Sequence, residues 1–214
     1  MNYVMLGIFI VSTTIHLYAS LKKDQKLRNI TKPFILLALL GFYLCEASNI
    51  YVTVILALIF SWLGDVFLMG KGVKYFTIGG IAFMIGHFFF CLSYLKDIDF
   101  SSINPIVIAF FAAIFIIAVV IIFSKLRAFL PKALFYPMFA YLLINGTMNC
   151  FAIYRLFTLA NINTIVTVIG AVLFFISDSS LFFVRFNKDG KLQSHFLVML
   201  TYSLGEFLIV LGLL

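Results

Sequence analysis

Apolar residues run along this chain in eight blocks, each closed by charged or turn-forming positions. A run of about 17–25 such residues is what a helix needs to cross a hydrocarbon core. The first block covers residues 3–20. The second opens at Lys32-Pro33 and ends near Glu46, with proline at the first helical position, where its missing N–H is tolerated. The third covers 50–69, after a tight turn at 47–49, and Gly70-Lys71-Gly72 breaks it. The fourth is 74–95, followed by a polar loop, 96–104. Pro105 starts the fifth, which ends near Phe123. The sixth is 133–157, with Pro137 placed to distort its first turns. The seventh is 164–184, and the eighth is 195–214. Between them the polar segment 185–194 holds Asp189-Gly190, a turn signal. The pattern predicts an all-α, polytopic membrane bundle of eight transmembrane helices, one domain over residues 1–214.

Composition agrees. Of 214 residues, 64% are hydrophobic and 11% charged, where a soluble domain carries about 25% charged. Mean hydropathy is +1.17. Too little loop is left for a separate soluble catalytic module. The net charge of +7 is not a nucleic-acid footprint, because the basic residues sit in short loops, where they orient spans and meet lipid phosphates. Five Lys and Arg fall in the first loop, two in the third, three in the fifth and three in the seventh, thirteen of fifteen. The second loop has none, the fourth only Lys96, the sixth only Arg155. This alternation predicts basic loops in the cytoplasm and both termini on the other side. Minimal loops and absent tails favour a bacterial inner membrane over the endoplasmic reticulum. Positive charge follows the first apolar run, so that run is not read as a cleavable signal peptide. Cys45, Cys91 and Cys150 lie in apolar runs without C-x-x-C spacing and read as small buried hydrophobes.

An ionisable side chain at membrane depth costs roughly 2.5–3.5 kcal/mol on insertion scales, and normally faces a bundle interior for a function. Six lie within the runs: His16, Glu46, Asp65, His87, Asp178 and Glu206. Asp65 sits in S-W-L-G-D-V-F-L-M-G and Asp178 in F-F-I-S-D-S-S-L; both read small residue, Asp, two residues, Leu. Asp65 lies six residues before Lys71 and Asp178 seven before Arg185. At about 1.5 Å per residue both carboxylates are roughly 9–10 Å below the basic boundary. Equal depth on helices of equal direction predicts that they face each other. Glu46, His16 and His195 read as interfacial. For His87 and Glu206, nearer mid-bilayer, an interhelical hydrogen bond competes evenly with a chemical role. Asn145 and Asn149 are four apart on the sixth span, on the stripe of Tyr141, and are placed to supply donors. Tyr202 and Glu206 are four apart on the eighth. Gly86-His87-Phe88 echoes Gly205-Glu206-Phe207. A four-helix duplication, halves about 1–104 and 105–214, would pair Asp65 with Asp178 and His87 with Glu206. No H-E-x-x-H, G-x-S-x-G or phosphate-binding Gly-rich loop is present, and neither metal nor cofactor is expected.

These residues resemble the YhhN family of eight-span membrane proteins, whose characterised members are lysoplasmalogenases. The resemblance covers nearly the whole chain. It rests on Thr31-Lys32-Pro33, Gly64-Asp65 with Leu68, Gly86-His87 and the Tyr- and Asn-bearing sixth span. It continues through Gly170-Ala171 and Phe174 to Ser177-Asp178-Ser179, then Thr201-Tyr202. Glu206 stands where many members carry Gln. The resemblance implies hydrolysis of the vinyl-ether bond of a lysoplasmalogen to a fatty aldehyde and glycerophosphocholine or glycerophosphoethanolamine. An enol ether hydrolyses when an acid protonates its β-carbon and water captures the oxocarbenium ion. One protonated carboxyl and one carboxylate suffice, and two neighbours in a poorly solvated site hold one proton between them. Glycosidases use a similar pair. Asp65 and Asp178 are thus the expected catalytic residues, with acid and base left open between them. His87, Asn149, Tyr202 and Glu206 are expected to support them, and Lys32 to contact phosphate. The expected partners are the lysophospholipid and membrane lipids. The alternative is a proton-coupled small-molecule or lipid transporter, since buried carboxylates serve proton relays equally well. A third possibility is a lipid-binding protein in which the pair is structural.

Overall fold

The computed structural model describes residues 3–187 and 194–214. Among these, the chain forms eight α-helices and no strand. They are α1 (Tyr3–Leu21), α2 (Gln25–Glu46), α3 (Val52–Leu68), α4 (Val73–Leu95), α5 (Pro105–Leu126), α6 (Phe135–Leu159), α7 (Ile162–Phe186) and α8 (His195–Leu211). A single 3-10 turn, Lys132–Leu134, leads into α6. The expected Asp189-Gly190 turn lies outside the described residues.

Five helices, α1, α2, α4, α5 and α7, are long and apolar enough to cross a membrane. The apolar helices α3 and α8 have 17 residues each. The 25-residue α6 has the length but carries Asn145, Asn149 and Arg155. Only Val119 and Leu126 of α5 are buried, and its Ile106, Phe110 and Ile117 project outward. Water would not solvate such a face, whereas lipid does. The protein is an all-helical, multi-pass membrane bundle.

One boundary departs from expectation in a way that matters for the site. Pro33 does not open α2; the helix begins eight residues earlier, at Gln25. Asp24 fixes that start, its Oδ1 accepting from the Leu27 N–H at 3.0 Å. Pro33 then sits inside the helix, where it removes one backbone hydrogen bond. Its own carbonyl accepts from Trp62 Nε1 at 3.0 Å, tying α2 to α3. The added turns carry Arg28 and Thr31 along the bundle, and make Lys32 part of a helix rather than of a loop. Pro137 is the third residue of α6, within the first turn, where proline is tolerated. Arg155, counted above as a loop charge, is a buried part of α6. It pairs with Asp97 at 2.7 Å and donates to Thr167 Oγ1 and the Gly212 carbonyl, so it ties α6 to α7 and the end of α8.

The helices pack in a recurring order. The closest partners are α3 with α4 and α7 with α8; α1 lies on α2, and α5 on α6. Across the middle α4 lies against α6, and α8 against α1 and α2. Small residues allow the tightest crossings. A Cβ on Gly205 would stand 2.9 Å from the Gly170 carbonyl oxygen and 2.9 Å from the Phe174 nitrogen. A Cβ on Gly86 would stand 3.1 Å from the Ala57 carbonyl oxygen. At Gly80, by contrast, a Cβ meets nothing within 4 Å. Gly205→Ala should therefore cost about 1–3 kcal/mol through overpacking. Thermal unfolding in detergent should show a lowered midpoint for Gly205→Ala, and none for Gly80→Ala.

Candidate active site

Asp65 lies in the last turn of α3, and Asp178 lies on α7 two turns before its end. Both line one cavity of about 320 Å³. Its walls come from the ends of α1, α3 and α7 and the beginnings of α2, α4 and α8, so it opens at the basic-loop end of the bundle. The two residues are almost wholly buried, at 2% and 4% exposure. Buried carboxyl groups need partners, and each has a different set.

Lys32 Nζ stands 2.9 Å from Asp65 Oδ1. The Tyr202 hydroxyl donates to Asp65 Oδ2 at 2.9 Å. An ammonium and a phenol thus compensate Asp65. Among the described residues, no ammonium reaches Asp178. Its Oδ2 accepts from the Tyr141 hydroxyl at 2.5 Å and from Asn145 Nδ2 at 2.8 Å, both on α6. On its other side His87 Nε2 lies 3.4 Å from the same oxygen, without the alignment of a hydrogen bond.

The tautomer of His87 follows from its neighbour. Nδ1 is 2.7 Å from the Phe83 carbonyl oxygen. A carbonyl only accepts, so Nδ1 carries a proton. Nε2, facing Asp178, is then either a lone pair or the second N–H of an imidazolium. Around this floor the walls are aromatic. Phe174 packs on His87 with ring centroids 4.7 Å apart, and Phe83 packs edge-on to Tyr202 at 6.0 Å.

The structure thus brings Lys32, Asp65, His87, Asp178 and Tyr202 together. Asn149 is one step removed: its Nδ2 donates to the Asn145 carbonyl at 3.0 Å and to Asn145 Oδ1 at 3.2 Å. Glu206 is fully buried but hydrogen-bonds neither Asp, and the Ser61 hydroxyl is its neighbour. Lys32, expected to contact phosphate, pairs with Asp65 on the cavity wall. Asn145, expected as a donor, reaches Asp178 directly, and so does Tyr141, expected only as a member of the same stripe. His16, expected at the interface, is 3% exposed and lines the cavity, its Nδ1 2.9 Å from Thr31 Oγ1. Among the described residues, no three His, Cys, Asp or Glu side chains are grouped as metal ligands.

The sequence profile of the YhhN family matches residues 27–213, nearly the whole chain. The chain belongs to the YhhN family. The matched span includes Lys32, Asp65, His87, Asp178 and Tyr202, and leaves out α1 with His16. No curated protein and no solved structure matches the chain. Membership in YhhN agrees, in general terms, with a lysoplasmalogenase-like hydrolase acting on lipid.

Removing one partner of a buried ion pair leaves an uncompensated charge, at a cost of about 3–5 kcal/mol. Lys32→Met should destabilise the protein by that order, and Lys32→Met combined with Asp65→Asn should recover much of the loss. Unfolding of the two single variants and the double variant in detergent measures the coupling. Purely additive effects would mean that the pair is not a stabilising unit.

Proposed function

We propose that this YhhN protein hydrolyses the vinyl-ether bond of lysoplasmalogens, with Asp178 as the acid and Asp65 as the base. The observation that carries this reading is the inequality of two carboxyl groups on one cavity. Asp65 has an ammonium at 2.9 Å, which suits a carboxylate. Asp178 has the Tyr141 hydroxyl, the Asn145 amide and an imidazole nitrogen beside it and, among the described residues, no ammonium, and in this reading it starts the cycle as the acid.

Asp178 gives its proton to the β-carbon of the enol ether, and the double-bond electrons form that C–H bond. The oxocarbenium ion that results is stabilised by the Asp65 carboxylate. Water adds to the oxocarbenium carbon and loses a proton to Asp65, giving a hemiacetal. Asp65 returns that proton to the glycerol oxygen as the C–O bond breaks, and the hemiacetal hydroxyl proton goes to Asp178. A fatty aldehyde and a glycerophosphodiester leave, and both carboxyl groups are reset. Tyr202 orients Asp65, Tyr141 and Asn145 orient Asp178, and Asn149 supports Asn145.

In the same reading all eight helices span a bacterial inner membrane, with the cavity opening at the cytoplasmic face. Internal duplication also gains support. Gly86 of α4 crosses α3 at Ala57, eight residues before Asp65, and Gly205 of α8 crosses α7 at Gly170, eight residues before Asp178. The contact of α4 with α6 has its counterpart in that of α8 with α2.

Purified protein in detergent should release aldehyde from a lysoplasmalogen and no fatty acid from the matched ester lysophospholipid. Asp65→Asn and Asp178→Asn should each lower the rate by about 10²–10⁴-fold, the usual contribution of a general acid or base. Full activity in both variants would end the assignment. Substrate-dependent ion flux without product would favour the carrier.

A further inference from the structure

The cavity has a charged mouth as well as a charged floor. On α2, Gln25, Arg28, Asn29 and Lys32 all line it, a stripe with helical spacing. On α7, Asp178, Leu181 and Arg185 line it in the same way. Arg28 therefore stands one turn outward of Lys32, and Arg185 two turns outward of Asp178. At about 1.5 Å per residue these offsets are roughly 6 and 10 Å along the helix axes.

Among the described residues, no carboxylate neutralises the two guanidinium groups. Arg28 donates to the Gln25 side-chain oxygen, and Arg185 lies over the Phe76 ring, 5.8 Å from its centroid. Among the described residues no carboxylate lies within ion-pair distance of either. Asp24, the nearest acid in sequence to Arg28, caps α2 through the Leu27 N–H. Asp65 and Asp178 are the only acidic residues on the described cavity wall, and Lys32 already balances the first. His16 and His195 complete the rim without adding negative charge. A low-dielectric cleft lined by one sign of charge concentrates the opposite ion.

We infer that Arg28 and Arg185 form a subsite for the monoanionic phosphodiester of a lysophospholipid. The inference rests on the hydrolase reading above and names the part of the substrate that this end of the cavity holds. Guanidinium groups bind phosphate oxygens in pairs, through a planar fork of donors. Their height fits as well. In a lysoplasmalogen six bonds of about 1.5 Å separate the reacting vinyl carbon from phosphorus, roughly 7–8 Å when extended. A vinyl carbon at the level of Asp65 and Asp178 places the phosphate at the level of the two arginines. The headgroup amine then points out of the mouth. Arg28 and Arg185, rather than Lys32, hold the headgroup.

Binding is tested separately from turnover with a saturated 1-O-alkyl lysophospholipid, which has no vinyl ether to cleave. Intact protein in detergent should bind it, and Arg28→Gln or Arg185→Gln should each weaken binding tenfold or more. Arg28→Lys and Arg185→Lys, which keep charge but lose the fork, should fall between. The phosphate-free 1-O-alkylglycerol should bind all of these proteins alike. In turnover, KM for lysoplasmalogen should rise in the Gln variants much more than kcat falls, closing the gap to a phosphate-free alkenylglycerol. Unchanged binding of the phospholipid analogue in both Gln variants would overturn the subsite. So would an equal loss for the alkylglycerol, which would mark a structural role. Inorganic phosphate displacing the analogue at equal concentration would mark a free-phosphate site instead. Absence of turnover with Arg-dependent binding intact would remove the hydrolase and leave the subsite.

Discussion

A charge in the interior of a membrane bundle must be compensated where it lies, and the ion pair of Lys32 with Asp65 does this at 2.9 Å. Much of the site depends on it. Lys32 reaches Asp65 because α2 starts at Gln25 under the Asp24 cap, which makes Lys32 part of a formed helix. Trp62 then holds α2 against α3 through the Pro33 carbonyl, three residues before Asp65 in the α3 sequence. Tyr202 brings α8 to the same carboxylate. The pair thus joins α2, α3 and α8 at the cavity floor.

The two halves of the bundle place their carboxylates alike and furnish them differently. Asp65 takes partners from α2 and α8, and Asp178 takes them from α6 and α4. In each set one helix comes from the same half of the chain and one from the other. Yet one set contains an ammonium and the other an imidazole. In the proposed chemistry that difference, imposed by Lys32 and His87, separates the acid from the base.

Helices were legible because a bilayer imposes a minimum length on apolar runs, and the observed ends of α1, α4, α7 and the start of α8 fall within two residues of the expected ones. The start of α2 was not. Lys26, Arg28 and Lys32 look like a loop when charge is read as solvent exposure, and only the Asp24 cap reveals the helix. Arg155 was hidden for the same reason: its charge reads as a boundary, while Asp97 and the Gly212 carbonyl bury it. The membrane-depth carboxylates stood out because such residues are costly. Their partners did not, since periodicity gives a stripe but not its rotation. Tyr141, Asn145 and Asn149 share one face, and one turn of register decides that the first two reach Asp178 and the third does not. Lys32 and Asp65 lie 33 positions apart in a chain with no local signal joining them.

The most direct test of the chemistry is the fate of solvent atoms in one turnover. Lysoplasmalogen is given to the protein in deuterium oxide enriched in oxygen-18, and both products are weighed. Protonation at the β-carbon followed by water addition at the vinyl carbon puts one deuterium on the aldehyde α-carbon and leaves the glycerophosphodiester free of oxygen-18. Oxygen-18 in the glycerol hydroxyl would mean that water attacks the glycerol carbon instead, which contradicts an oxocarbenium route through Asp178 and Asp65.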